Sequence, residues 1–317
     1  MDSTQLKVAI GQISPVWLNK QQTTLKIIET IESASGHGCK LIAFSEGLLP
    51  GYPFWLEHNN ASRFNNSQLK QWHAHYLNEA VSIERGDLDS IKTACKTGNI
   101  ACYLGIIERP DERGNHSCYA SLVYIDNQGA LGSVQRKLMP TYEERLIWSI
   151  GDGNGLRTHD LGAFKVGGLN CWENWMPLAR ASLYAQGENV HIASWPGSVR
   201  NTEDITRFMA MESRSYVISA SSILRKESIP DDLPMVEDMV SEMPDTLANG
   251  GSCIAAPSGE WLVAPVADIE DVITTTLDLS TILGERQNFD PSGHYSRADV
   301  FRLEVDRTRQ KIAHFSD

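Results

Sequence analysis

Residues 6–13 read LKVAIGQI, residues 20–35 read KQQTTLKIIETIESAS, and residues 40–44 read KLIAF. The first and third runs are short, apolar and rich in strand-forming residues. The middle run places Leu25, Ile28 and Ile31 at spacings of three, which predicts an amphipathic helix with these residues on its buried face. A strand, a helix and a second strand in this order indicate a parallel pair joined by a crossover.

The same alternation continues along the chain. Strands are predicted at residues 100–107, 118–126, 130–137, 164–171, 190–195, 217–224 and 251–256, with helices within 66–98 and at 176–186 and 202–216. The tripeptide NQG at residues 127–129 predicts a hairpin turn, and residues 261–266 and 272–279 predict a second hairpin-like pair. No Gly-, Ser- or Pro-rich linker divides the chain, so we expect one α/β domain over residues 1–317 with a mixed sheet system.

Two segments stand apart from this pattern. Residues 226–249 read KESIPDDLPMVEDMVSEMPDTLAN and are acidic and Pro-containing, which predicts a surface excursion or a partner-contacting segment. Residues from about 282 to 317 are polar, and we expect an extended C-terminal tail there.

Composition excludes several classes of protein. The chain of 317 residues has a formal net charge of −12 and no cluster of Lys and Arg, so a nucleic acid or an anionic membrane is a poor partner. No run approaches the ~20 apolar residues of a membrane span. The N-terminal residues lack the pattern of a signal peptide, which favours a cytoplasmic protein. The six cysteines form no CxxC pair, which argues against a disulfide framework or a structural zinc site.

Four reactive side chains follow predicted strands or lie in the loop beyond one. Glu46 follows residues 40–44, Lys137 closes residues 130–137, and Glu144 lies seven residues later, beside Glu143. Cys171 ends residues 164–171 at a turn into a helix, where backbone N–H groups favour a thiolate. Each has an ordinary structural explanation when taken alone. Ligand sites in α/β sheets, however, gather at the carboxyl ends of strands, where a half-buried Glu has a raised pKa and can act as a base.

A protease-like pair of Cys171 with His191 is the obvious alternative for the base. His191 lies inside the predicted strand NVHIASW, where a hydrogen-bonded core histidine is the more common situation.

The segments around these residues carry longer motifs. They are SEGLLPGYPFW, QRKLMPTYEERLIWSIGDGNGL, GGLNCWENWMPLARASLYAQG and HIASWPGS, followed by the weaker GGSCIAAPSGEWLVAP and FDPSGHYSRADVF. In content, order and spacing they resemble the nitrilases of the carbon–nitrogen hydrolase superfamily, over nearly the whole chain. The resemblance implies a four-layer α-β-β-α sandwich whose protomers pair as homo-oligomers, sometimes building spirals or filaments.

The resemblance also implies roles for individual residues. Glu46 takes the general-base position, Lys137 the cationic position, Glu144 the second glutamate and Cys171 the nucleophile. Ser45 stands where the family usually has Pro. By the same match, the residues at substrate-binding positions are Tyr52, Trp148, Trp195 and Pro196, together with Trp172, whose backbone N–H would help to stabilise an oxyanion.

The implied reaction converts a small-molecule organic nitrile and water to a carboxylic acid and ammonia, through a thioimidate and a thioester on Cys171. It needs no metal and no organic cofactor, and an aromatic or arylaliphatic nitrile is the preferred substrate.

Two alternatives stay open. An amidase, a carbamoylase or a cyanide-hydrating enzyme of the same superfamily would use the same catalytic residues. A non-catalytic scaffold would be expected to lose one of the four reactive groups, and all four are present.

Overall fold

The computed structural model describes residues 4–313. The strands are β1 Gln5–Gln12, β2 Leu41–Ala43, β3 Ala101–Glu108, β4 Tyr119–Ile125, β5 Leu131–Arg136, β6 His159–Leu161, β7 Phe164–Asn170, β8 Val190–Ser194, β9 Tyr216–Ala220, β10 Ile223–Arg225, β11 Thr246–Ala255, β12 Trp261–Ala267 and β13 Asp271–Asp278. The α-helices are α1 Lys20–Gly36, α2 Trp55–His58, α3 Ser67–Glu79, α4 Asp89–Gly98, α5 Pro177–Tyr184, α6 Val199–Ser213, α7 Val236–Val240 and α8 Leu279–Glu285. Short 3-10 helices occur at Asp111–Arg113, Tyr142–Leu146, Gly153–Gly155, Cys171–Trp175 and Lys226–Ser228.

The strands form two mixed sheets. The first has the order β13-β1-β2-β3-β4-β5, and the second has the order β10-β11-β9-β8-β7-β6, with β12 paired to β11. Strands β1 and β2 are parallel, with Val8 opposite Leu41, which confirms the predicted crossover through α1. The hairpin of β4 and β5 is also confirmed, with Val123 opposite Val134.

The two sheets pack face to face between two layers of helices. Alternate residues of β1 (Leu6, Val8 and Ile10) face a buried core shared with β7, β8 and β9, whereas Ala9 faces α1. Helices α1 and α4 cover the outer face of the first sheet, and α5 and α6 cover the outer face of the second. The architecture is therefore the four-layer α-β-β-α sandwich that the sequence predicts.

The buried face of α1 differs from the prediction. Ile27, Ile31 and Ala34 are fully buried, whereas Leu25 is 49% exposed. Spacings of exactly three drift around a helix of 3.6 residues per turn, so residues 25, 28 and 31 do not share one face. Spacings of four and three do stay on one face, which is why Ile27, Ile31 and Ala34 point to the sheet.

The predicted C-terminal hairpin is wrong. Strand β12 pairs with β11 in the second sheet, whereas β13 pairs antiparallel with β1 along its whole length in the first sheet. The chain crosses between sheets after residue 267, and period-two alternation does not identify a strand's partner. Two further predicted elements are each two elements in the structure. Residues 217–224 cover most of β9 and the start of β10, and residues 66–98 include both α3 and α4.

Residues 226–249 fold back onto the body of the protein. Ile229, Leu233 and Met239 are buried in a cluster with Trp72 of α3, whose indole N–H donates to the carbonyl of Pro234. The C-terminal segment begins in α8, where Ile282 is buried, and has no regular structure from residue 286 to 313. Residues 314–317 of the predicted tail lie outside the described residues. No helix between residues 4 and 313 has the length and apolar character needed to cross a bilayer.

Candidate active site

Three strand ends bring four reactive side chains together. Glu46 lies three residues beyond β2, Lys137 directly follows β5, and Cys171 directly follows β7. Glu144 lies on the 3-10 helix Tyr142–Leu146, in the loop beyond Lys137. One ligand atom each of Glu46, Glu144 and Cys171 lies within 4.8 Å of the others. The structure thus collects in one place the four residues that the sequence analysis singled out.

The Lys137 ammonium lies between the two carboxylates. Lys137 Nζ is 2.8 Å from Glu46 Oε1 and 2.7 Å from Glu144 Oε2. All three side chains are almost completely buried. Burial alone would disfavour the charge of Lys137, but Cys171 and the two carboxylates raise the pKa of the ammonium above its ordinary value. Lys137 is therefore a permanent cation at this position.

Glu144 is held by three donors. Its Oε2 accepts from Lys137 Nζ at 2.7 Å and from the backbone N–H of Thr141 at 2.5 Å. Its Oε1 accepts from the hydroxyl of Tyr52 at 2.7 Å. These three contacts fix the position of the Glu144 carboxyl group, whose chemical capacity is to orient Lys137.

Glu46 is held differently. Burial, opposed by Lys137 and reinforced by Glu144, raises the pKa of Glu46 to about 8. Its backbone N–H donates to the carbonyl of Trp195, so the first sheet fixes Glu46 against the end of β8 in the second. A carboxyl group that titrates near neutrality can both accept and return a proton.

The thiol of Cys171 is buried, and burial disfavours its ionisation. Burial and Glu46 raise its pKa well above the ordinary value, whereas Lys137 and the backbone N–H of Trp172 lower it. The predicted stabilisation by a backbone N–H is present, but desolvation outweighs it in the free protein. Cys171 also has φ of +45°, a left-handed conformation that side chains other than Gly rarely adopt.

Glu173 is a residue that the sequence analysis missed. Its carboxylate accepts from the backbone N–H groups of Asn170 and Leu138 at 2.8 Å, and from the Gln135 side chain at 2.8 Å. Glu173 thereby ties the end of β7, which carries Cys171, to the end of β5. The capping-box pattern N-x-x-E at residues 170–173 is the signal that could have revealed it.

Two close backbone contacts need glycine. A Cβ atom on Gly105 of β3 would lie 2.2 Å from the carbonyl oxygen of Ser45 and 2.7 Å from Cα of Glu46. A Cβ atom on Gly151 would lie 2.5 Å from the carbonyl oxygen of Lys137. These glycines let neighbouring backbone support Glu46 and Lys137 directly.

The predicted substrate-binding residues occupy different environments. The Tyr52 ring lies edge-on to Trp148 with centroids 5.4 Å apart, and the Trp148 ring is 5.4 Å from Lys137 Nζ. Trp172 is 52% exposed. Trp195 is fully buried, its indole N–H donating to Ser219 Oγ, and Pro196 is buried beside it.

His191 does not face the thiol. Its Nδ1 lies 2.9 Å from Glu188 Oε1 and its Nε2 lies 2.8 Å from Asn174 Oδ1. Because both ring nitrogens are engaged elsewhere, the alternative of a Cys171–His191 pair is wrong.

A cation could in principle be held by Glu46, Glu144 and Cys171. Lys137 already places a positive charge within 2.8 Å of both carboxylates, so a metal ion there would compete with the ammonium. The arrangement therefore suits acid–base and nucleophilic chemistry.

Known proteins are similar to this chain in sequence and in fold. The profile of the carbon-nitrogen hydrolase family matches residues 7–286. An aliphatic nitrilase of Rhodococcus rhodochrous is 33% identical over 316 residues, covering 95% of this chain and 79% of that protein. An arylacetonitrilase of Arthroderma benhamiae is 30% identical over 336 residues, covering 98% and 96%.

A solved structure shows the same fold. The carbon-nitrogen hydrolase of Helicobacter pylori superposes with a TM-score of 0.71 at 17% identity, covering 93% of this chain and 96% of that one. The profile match over residues 7–286 and the relative of 33% identity establish that the chain belongs to the carbon–nitrogen hydrolase family and is a hydrolase of carbon–nitrogen bonds.

Proposed function

We propose that the protein is a nitrilase that hydrolyses an organic nitrile to a carboxylic acid and ammonia. The observation that carries the proposal is the buried group in which Lys137 contacts both Glu46 and Glu144 beside the Cys171 thiol. Relatives that match at least 95% of this chain are described as aliphatic nitrilase and arylacetonitrilase, which supports a nitrile as substrate.

The first half of the reaction forms a bond to sulfur. Glu46 accepts the proton of the Cys171 thiol as sulfur attacks the nitrile carbon, and returns it to the nitrile nitrogen to give a thioimidate. Because the pKa of Glu46 is raised to about 8, its basicity suits this transfer near neutrality. The raised pKa of Cys171 means that deprotonation accompanies attack.

The second half uses two water molecules. Glu46 deprotonates the first water, which adds to the thioimidate, and the tetrahedral adduct expels ammonia to leave a thioester. The second water hydrolyses the thioester to the acid and regenerates the thiol. Lys137 and the N–H of Trp172 would stabilise negative charge in the adducts, and removal of one such donor typically costs ~10²–10³ in turnover. Glu144 keeps Lys137 oriented.

Substrate preference follows from the rings beside the ammonium. The edge-on pair of Tyr52 and Trp148 borders Lys137, which favours an aromatic or arylaliphatic nitrile. A surface cavity of about 400 Å³ adjoins the helix of Glu144, and apolar Trp55, Leu146 and Ile147 line it together with polar Arg63, Lys70 and His73. None of the four reactive side chains lines this cavity.

We further propose a homo-oligomer built from dimers. Leu178 of α5 is 69% exposed, and Phe208 and Met211 of α6 are 47% and 42% exposed. A second copy of this chain would cover these side chains through its own α5 and α6. Light scattering should give a mass above that of one chain, and a monomer at micromolar concentration would refute this part.

We also propose that the chain is a single catalytic domain with a C-terminal tail and that the protein is cytoplasmic. The family profile matches residues 7–286, which supports a single catalytic domain with the remaining residues as an appended tail. All six cysteines are free, which suits the reducing conditions of the cytoplasm.

Product analysis tests the proposed reaction. The protein is incubated with phenylacetonitrile, benzonitrile, a dinitrile, cyanide and the matching amides, and ammonia, acid and amide are quantified beside Cys171→Ala. We expect acid and ammonia from an organic nitrile, with none from the variant. Turnover of amides or cyanide alone would refute the nitrilase assignment in favour of the sister activities, and a folded protein inactive on every compound would support a scaffold.

A further inference from the structure

Behind the Cys171 backbone lies a buried chain of polar side chains that the proposed reaction does not use. It consists of Asn174 on the 3-10 helix of Cys171, His191 on β8, and Glu188 in the turn before β8. Each of the three is at most 1% exposed. Buried polar groups are costly unless their bonds are satisfied, so the chain must be matched to a specific geometry.

Asn174 holds the backbone on both sides of the nucleophile. Its Nδ2 donates to the carbonyl of Cys171 at 2.9 Å and to the carbonyl of Leu169 at 3.2 Å. The backbone carbonyl of Asn174 accepts from Arg180 Nη1 at 2.7 Å. The left-handed backbone of Cys171, with φ of +45°, is of a kind that persists only when its surroundings over-determine it.

The orientation of the Asn174 amide determines the direction of its hydrogen bond with His191. Because both protons of Asn174 Nδ2 point to carbonyl oxygens, Oδ1 is the atom that faces His191 Nε2 at 2.8 Å. His191 Nε2 must therefore donate. On the other side of the ring, His191 Nδ1 lies 2.9 Å from Glu188 Oε1, and a further proton shared by these two atoms completes the hydrogen bond that orients the ring. Gly167 leaves room for this carboxylate, since a Cβ atom there would lie 2.2 Å from Glu188 Oε1.

We propose that Asn174, His191 and Glu188 are positioning residues for Cys171. His191 donates to Asn174, Asn174 fixes the Cys171 backbone, and the thiol is thereby aimed at Glu46 and Lys137. The inference rests on the proposed role of Cys171 as nucleophile. A misplacement of about 1 Å at a reacting atom can cost about 10²-fold in rate, so a group two contacts away can matter.

The test compares four variants. His191→Ala removes the donor, and His191→Gln keeps an N–H group that can reach Asn174. Asn174→Asp replaces the donating amide by an acceptor of the same shape. His159→Gln is the matched control, because His159 is also hydrogen-bonded between the sheets, to Ser133 Oγ at 2.8 Å, but its ring contacts are with Tyr103 and Tyr124 and not with the three polar residues.

Four quantities are measured for each variant. They are kcat and KM for the best nitrile, the rate at which iodoacetamide alkylates Cys171 as located by peptide mass mapping, and the thermal unfolding midpoint. We expect His191→Ala and Asn174→Asp to lower kcat about 10²-fold with KM changed less than about threefold, and to slow alkylation. The kcat of His191→Gln should be about tenfold higher than that of His191→Ala. His159→Gln should match the wild type.

Two results would overturn the inference. One is a folded His191→Ala or Asn174→Asp protein with wild-type kcat and alkylation rate. The other is a His191→Gln protein as impaired as His191→Ala at equal thermal stability. If the wild type hydrolysed no nitrile, the alkylation rates would still decide the positioning role, so the two proposals can fail separately.

Discussion

At the scale of residues, two glutamates flank one lysine and receive different tasks from their surroundings. Glu144 accepts from Lys137, Tyr52 and the Thr141 backbone, so three donors fix the position of its carboxyl group. Of these three donors, Glu46 contacts Lys137 alone. Burial of the Glu46 carboxyl group outweighs this contact and raises its pKa to about 8. Divergent environments for paired carboxyl groups separate a proton-transferring role from an electrostatic one.

The pH profile should report the Glu46 carboxyl. As the proposed base, Glu46 must be ionised in the free enzyme, and burial raises its pKa to about 8. We therefore expect kcat/KM for a nitrile to rise with pH and to level off above about 8. Initial rates between pH 5 and about 10 measure this limb. A limb centred near the ordinary pKa of 4.5 would contradict the role given to Glu46.

The stability of the fold should also depend on the ionisation of Glu46, but it should fall with pH where activity rises. Because the pKa of Glu46 rises from 4.5 to about 8 on folding, the folded chain keeps a proton that the unfolded chain releases. Its stabilising contribution is full below pH 4.5 and is lost as pH rises through about 8. The free energy of unfolding of the wild type, relative to Glu46→Gln, should therefore fall with pH across this window in urea titrations. A flat difference would mean that the pKa is not raised.

Tyr52 should act through Glu144. Tyr52→Phe removes the hydroxyl that donates to Glu144 Oε1 at 2.7 Å. A hydrogen bond to a charged group is worth about 1.5–3 kcal/mol, so we expect kcat/KM to fall about 10-fold or more. Steady-state kinetics measure the change. Tyr103→Phe is the control, since its hydroxyl bonds the Val166 carbonyl away from the site, and an equal loss there would show that the effect is only structural.

At the scale of elements, strand ends were the most predictable feature. Apolar runs located β2, β5 and β7 within a few residues, so the places of Glu46, Lys137 and Cys171 after them followed from local pattern. Contacts made across the fold could not be predicted this way. The partner of β13 is β1, more than 250 residues away, and Glu173 acts by joining two strands that the sequence presents separately.

The close approach of β3 to Glu46 gives a test at this scale. In Gly105→Ala the new methyl group would lie 2.2 Å from the Ser45 carbonyl oxygen, and backbone cannot move aside cheaply. We expect a loss of about 1–3 kcal/mol or more in stability, together with lower activity as Glu46 is displaced.

The matched control is Gly284→Ala in α8, where a Cβ atom meets nothing within 4 Å. Replacing Gly by Ala inside a helix should stabilise by about 0.5–1 kcal/mol and leave activity unchanged. Denaturant unfolding and nitrile turnover compare the two variants. If both behaved alike, the tight packing of β3 against Glu46 would be disproved.

At the scale of the whole molecule, contacts between the sheets assemble the site. The N–H of Glu46 donates to Trp195, and the Ser194 hydroxyl donates to the Phe44 carbonyl, so the ends of β2 and β8 are joined directly. Neither half of the sandwich holds all the reactive groups. Catalysis is therefore expected to be lost as soon as the two sheets separate, even where each retains its strands.

The C-terminal segment supports one side of this assembly. Arg309 donates to Asp152 Oδ1 and to the Val134 carbonyl, both at 2.9 Å. The turn that holds Asp152 also contacts Lys137, because the Gly151 N–H donates to the Lys137 carbonyl at 2.9 Å. The segment thus reaches the strand end that carries Lys137.

Arg309→Ala should destabilise the protein by about 1 kcal/mol, since the guanidinium is partly exposed and its ion pair is partly screened. Arg297→Ala, which removes an exposed and solvent-screened pair with Asp299, should leave stability unchanged. Thermal unfolding and turnover compare the two. Equal effects would show that the segment does not support the site.

The covalent intermediate on Cys171 is the most direct test of the whole account. The enzyme is quenched in acid during turnover of a nitrile, and the peptide that contains residue 171 is analysed by mass spectrometry. We expect that peptide alone among the six cysteine sites to carry the mass of the nitrile or of its acyl group, with no adduct in Cys171→Ala. Turnover with no adduct on Cys171, or with an adduct on another cysteine, would contradict the account.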